Sequence, residues 1–145
     1  MLRPTKRLQC VLNNPNCYGL FSKNPGIAKD ILNKYQGVVN VSGPPSPNIS
    51  ATEAAARQEL ANKGAVVVTP ASLIQMPDGF KVWTGKPFTT YAGPLFYDPS
   101  AYGSTQQQLT ILIHELLHIA NPNLPPTKAE SKAHNDKIRT NCNTK

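Results

Sequence analysis

Two histidines and one glutamate in the stretch 110–120, TILIHELLHIA, are the residues best suited to chemistry. His114 and His118 are four positions apart, and positions i and i+4 share one face of an α-helix, so both imidazoles can reach one ion. Zinc accepts neutral histidine nitrogens in tetrahedral geometry and, with three protein ligands, keeps one position for water. Glu115 follows His114 by about 100° around the helix, near enough to take a proton from that water. The spacing therefore predicts metal-assisted hydrolysis with Glu115 as general base.

The flanking residues predict that this stretch is helical. Ser104 and Gln107 form a capping box, in which the serine is the N-cap and the glutamine reaches back to it. Asn121-Pro122 ends the helix soon after the second histidine. An apolar face follows from helical spacing of Leu109, Leu112, Ile113, Leu116 and Leu117. The alternative is a buried helix whose histidines are core residues, but two of the chain's three histidines in one motif argue against it.

The stretch His114–His118 matches His-Glu-x-x-His, and its helix resembles the active-site helix of the zincin metallopeptidases. The resemblance extends to small metallopeptidase-like domains of uncharacterised bacterial secreted and repeat-associated proteins. There an Asn-Pro-x-Cys segment opens the domain and Asn-x-x-Ile-x-x-x-Cys closes it; the similar segments here are 14–17 and 135–142. The resemblance implies hydrolysis of a peptide or protein substrate. It also implies an edge strand upstream of the helix, for which 95–97 is similar in position.

A third protein ligand is needed, because two histidines do not hold catalytic zinc well. Glu130 and His134 are four apart on a predicted final helix, and both could face the ion. A downstream glutamate resembles the gluzincin branch of the zincins, and a downstream histidine resembles other branches. Against Glu130 stands a capping role with Thr127, and against His134 a role in orienting another ligand. The two remain rivals, and if neither binds, the domain is a catalytically inactive zinc-binding or interaction domain.

The length and composition favour one small domain of the α+β class. The chain has 145 residues, which suits a single metallopeptidase-like domain over 1–145, with an irregular segment over 1–19. We expect a short twisted sheet and about four helices, with the HELLH helix packed beneath the sheet. Helices are predicted over 25–36 and 51–63, and strands over 38–41, 65–69, 72–76 and 80–84. No apolar run approaches the ~20 residues of a membrane span.

The net charge of +7 makes nucleic acid the obvious rival partner. The fifteen basic residues are scattered along the chain, however, and few aromatic residues interleave with them. A solvated basic surface is therefore the preferred interpretation, and a nucleic-acid-binding module is the lesser alternative. The sequence does not indicate an oligomeric state.

The chain has three cysteines, and their pairing indicates the cellular compartment in which the protein acts. Cys17 and Cys142 lie near the two ends, which are often close in a domain, and a disulfide between them would close a very long loop. Such a bond predicts a secreted or extracytoplasmic protein. Cys10 is either free or the true partner of one of them, and three reduced cysteines in a cytosolic protein are the alternative. No apolar region follows the basic start, so export would require a leader outside this sequence or a larger exported chain.

Overall fold

The computed structural model describes residues 8, 10, 13–19, 25–64, 66–69, 73–79, 81–102, 104–120 and 128–142. In this part of the chain, most of the strands lie in the middle and most of the helices lie towards the two ends. The helices are α1 (Pro15–Tyr18), α2 (Pro25–Lys34), α3 (Ala51–Lys63), α4 (Pro94–Tyr97), α5 (Thr105–Ala120) and α6 (Lys128–Asn141). The strands are β1 (Tyr35–Asn40), β2 (Val67–Val68), β3 (Leu73–Gln75), β4 (Lys81–Trp83) and β5 (Phe88–Ala92).

The main sheet has three strands in the order β1-β5-β2, and β3 and β4 form a separate antiparallel pair. β5 is the central strand; it runs parallel to β1 and antiparallel to β2. The register between β1 and β5 shifts between Tyr35 and Val38. Gly37 lies within that shift at φ 106°, a left-handed conformation that glycine adopts without a Cβ clash. β2 is left at the edge of the sheet.

The side chains of β5 alternate between two layers, as expected for a strand with both faces covered. Phe88 and Ala92 face α5, and Tyr91 faces α3. Thr90 is fully buried, and its hydroxyl lies 2.6 Å from the Tyr35 hydroxyl, so the buried polar group is satisfied. The molecule is therefore layered as helix, sheet and helix, with α5 on one face and α3 on the other.

α3 begins and ends as its sequence predicts. The Ser50 hydroxyl accepts a hydrogen bond from the Glu53 amide at 3.1 Å, and Gly64 ends the helix at φ 60°. The Glu53 carboxylate forms an ion pair with Arg57 at 3.2 Å. In a full capping box, this carboxylate would turn back to the backbone at the start of the helix.

A disulfide joins Cys17 to Cys142, as predicted, and Cys10 is free and exposed. Both bonded cysteines are buried in the main core beside Ile138. The Asn14 side chain also donates to the Asn141 carbonyl at 3.5 Å, so α1 and the end of α6 are tied together. α1 itself is a helical turn inside the segment that was expected to be irregular.

The α+β class is confirmed, and four of the helices α1–α6 have ten residues or more. The strand expected at 95–97 is wrong, because these residues belong to α4. Pro94 occupies the start of that helical turn, where its fixed φ is favourable, and the turn buries Phe96 against α5. The central strand β5 was not predicted. None of the described helices is both long and apolar enough to cross a membrane.

Candidate metal centre

α5 positions the two histidines and the glutamate. Its first turn is capped by Ser104, whose hydroxyl accepts from the Gln107 amide at 3.2 Å. Gln108 donates from its side-chain amide to the Phe96 carbonyl at 3.0 Å, which ties α5 to α4. The buried face of the helix carries Leu109, Thr110, Leu112, Ile113, Leu116, Leu117 and Ile119. At 100° per residue, the two histidines and Glu115 project from the opposite side.

The three side chains meet in one cluster. Nε2 of His114 lies 3.0 Å from Nε2 of His118, and the two ring centroids are 4.7 Å apart. Potential ligand atoms of both rings and of the Glu115 carboxylate all lie within 4.8 Å of one another. All three residues are half-buried, so solvent can still reach them. The group could therefore hold a metal ion.

The donor geometry fits an ion of the size of zinc. Two nitrogens each ~2.0–2.1 Å from a tetrahedral ion lie roughly 3.3 Å apart. The separation of 3.0 Å between the two Nε2 atoms needs only a small ring adjustment to reach that value. Neutral imidazole nitrogen suits several divalent transition metals, so this donor set favours such a metal over calcium or magnesium.

Two contacts to this cluster were not predicted. The Asn135 side-chain oxygen lies 3.1 Å from Nδ1 of His114, on the far side of the ring from His118. The Thr69 hydroxyl, directly after β2, donates to the Glu115 carboxylate at 3.5 Å, the outer limit of a hydrogen bond. Asn135 lies 21 residues from His114 along the chain, and Thr69 lies 46 residues from Glu115. Only tertiary packing therefore brings each pair together.

Neither rival for the third ligand is decided by the structure. Glu130 and His134 both belong to the backbone of α6, the helix that also carries Asn135. Their side chains lie outside the described residues. The third ligand therefore stays a prediction.

Comparison with protein-family models, with curated proteins and with solved structures gives no match. The resemblance to the zincins thus depends on the motif and its helix.

Proposed function

We propose that this protein is a zinc-dependent peptidase in which His114 and His118 bind the metal and Glu115 is the general base. The observation that carries the proposal is the convergence of two unlike donor types. Two imidazole Nε2 atoms lie 3.0 Å apart, and a carboxylate comes within 4.8 Å of the pair on a half-buried, solvent-reachable face. A histidine that only packs in the core does not require a second imidazole and a carboxylate at that distance.

In this proposal Glu115 carries out both proton transfers of the reaction. Its carboxylate accepts a proton from water as the water oxygen bonds to the carbonyl carbon of the peptide. It then delivers that proton to the amide nitrogen as the C–N bond breaks, and the remaining proton of the new carboxylic acid passes to the amine, so the products are a carboxylate and an ammonium group. A zinc ion bound at this site would polarise the carbonyl and make the water more acidic. The Thr69 hydroxyl supports this role, because its contact with one oxygen of the Glu115 carboxylate at 3.5 Å helps to fix the direction of that side chain.

The position of β2 supports a peptide as the substrate. β2 is an edge strand of the main sheet and leads directly into Thr69, which contacts the general base. An extended peptide can add to such an edge through main-chain hydrogen bonds, which would bring its carbonyls past Glu115. The edge strand that the resemblance implies is thus better placed at 67–68 than at 95–97. The buried disulfide is compatible with action outside the cytoplasm.

The proposal is tested by measuring zinc content and peptidase activity together. The wild-type protein should hold one zinc per chain and cleave quenched fluorescent casein or a quenched peptide library. His118→Ala should lose both properties, while Lys132→Ala, an exposed substitution on α6, should lose neither. Zinc binding without cleavage would instead support the inactive zinc-binding domain. Absence of zinc, combined with nucleic-acid affinity that falls steeply with salt, would support the basic-module alternative.

The rivalry for the third ligand predicts unequal effects of Glu130→Ala and His134→Ala. One of the two should weaken zinc binding by more than about tenfold, because losing a ligand should cost at least as much as losing a residue that only orients one. The other should have the smaller effect, close to none for a residue that only caps α6 and larger for one that orients a ligand. Competition with a chromophoric chelator measures both. If both variants bind zinc as the wild type does, the third ligand lies elsewhere or is missing.

A further inference from the structure

We propose that Asn135 is a positioning residue for His114. In this assignment its side-chain oxygen accepts a hydrogen bond from the Nδ1–H of His114, which leaves Nε2 unprotonated and turned towards His118. The assignment rests on the proposed metal site for its purpose. The hydrogen bond itself is a property of the metal-free protein and can be tested there.

The geometry supports one assignment of the imidazole protons of His114 and His118 to their ring nitrogens. A neutral imidazole carries one N–H and one acceptor nitrogen. The amide oxygen of Asn135 is only an acceptor, and at 3.1 Å it requires the proton of His114 to be on Nδ1. Nε2 of His114 is then an acceptor, and in the absence of metal it receives a hydrogen bond from Nε2–H of His118 at 3.0 Å. Asn135 therefore prepares the nitrogen of His114 that a metal needs.

α6 holds Asn135 in place through its buried face. Ile138 and Cys142 follow Asn135 by three and seven residues, so all three lie on one side of the helix. Ile138 is fully buried in the main core, and Cys142 is bonded to Cys17. Asn135, at the start of this face, contacts His114. Ile138 and Cys142, further along the face, anchor the helix. A residue anchored in this way can fix the direction of an imidazole ring as well as its proton.

An asparagine at this position fixes the ring without adding charge. The cluster already contains the Glu115 carboxylate, and a second carboxylate nearby would raise its negative charge further. An aspartate would still accept from Nδ1–H, so Asn135→Asp should preserve the proton order and keep zinc affinity within about threefold of wild type. Asn135→Leu keeps the branched arrangement of side-chain heavy atoms but has no acceptor, so it should release the ring while leaving the fold intact.

The test reads the tautomer of His114 by long-range ¹H–¹⁵N correlation NMR in metal-free protein with labelled histidine. The chain has three histidines, and the His134→Gln and His118→Asn variants assign their signals. The wild type and Asn135→Asp should show His114 with the proton on Nδ1. Asn135→Leu should shift the population towards Nε2–H and lower zinc affinity by about 10–100-fold. Asp136→Ala, an exposed neighbour on α6, should match wild type in both measurements.

Two results would overturn the assignment. One is a wild-type His114 protonated on Nε2, which would mean that the Asn135 amide donates rather than accepts. The other is an Asn135→Leu variant whose tautomer and zinc affinity are unchanged. If Asn135→Leu does not fold, the wild-type and Asn135→Asp tautomers decide the matter. A wild type that binds no zinc but shows the predicted tautomer would refute the proposed function alone, because the hydrogen bond would still stand.

Discussion

Replacing Glu115 with glutamine should leave zinc binding intact and lower the turnover of quenched fluorescent casein by about 10²–10⁴-fold. Glutamine keeps the length and shape of the side chain, and its oxygen can still accept from Thr69, which lies 3.5 Å from the carboxylate. It cannot take a proton from water at neutral pH. The histidines, which lie 3.0 Å apart at Nε2, are untouched. The variant thus separates metal binding from proton transfer.

A matched control for this variant is Glu53→Gln. Glu53 lies on α3, at the opposite face of the sheet, where its carboxylate pairs with Arg57. Losing one partly exposed ion pair should cost at most about 1 kcal/mol of stability and leave turnover unchanged. Full activity in Glu115→Gln, with zinc bound, would eliminate Glu115 as the base. Loss of zinc in that variant would make the glutamate a ligand instead.

Removing the Cys17–Cys142 disulfide should lower the free energy of unfolding by about 2–5 kcal/mol. The bond spans 125 residues, and a loop of that length restricts the unfolded chain strongly. Both sulfurs are buried, so the double variant Cys17→Ala with Cys142→Ala avoids placing hydroxyl groups in the core. The midpoint of thermal unfolding should fall on the order of 5–15 °C. Urea unfolding followed by far-UV circular dichroism measures the change in the free energy of unfolding.

Cys10→Ala is the control, because Cys10 is free and exposed and its removal should change stability little. The double variant should also weaken zinc binding, since the disulfide anchors the end of α6 that lies two turns beyond Asn135. A double variant as stable as wild type would show that the bond contributes nothing to the fold. Unfolding of the Cys10→Ala protein at lower urea would mean that Cys10 has a structural role.

The helix of the candidate site could be predicted from the sequence because each of its signals is local. Ser104 caps it, apolar residues recur at helical spacing, and the helix ends at Ala120, just before Asn121-Pro122. The spacing of His114 and His118 then brings the two rings together without help from any other element. The disulfide was predicted on a different ground, the tendency of domain ends to meet, and that ground left Cys10 open as a partner.

The partners of these residues could not be predicted, because they depend on how distant elements pack. Asn135 reaches His114 only through the packing of α6 against α5, and Thr69 reaches Glu115 only through the position of β2. The central strand β5 carried a usable signal, because residues 88–91 are all aromatic or β-branched. The strand expected at 95–97 rested only on its position upstream of the helix, as the resemblance to the zincins implies. Pro94 at the start of the segment and the burial of Phe96 favour a helical turn there.

Anomalous scattering at the zinc absorption edge, from crystals grown with zinc, tests the central claim most directly. The proposed function predicts one strong peak within ~2.0–2.1 Å of Nε2 of both His114 and His118, with a third protein ligand completing the set. The Glu115 carboxylate should face the ion without replacing water. A structure with zinc at other positions only, and with the two rings still hydrogen-bonded to each other, would contradict the proposal.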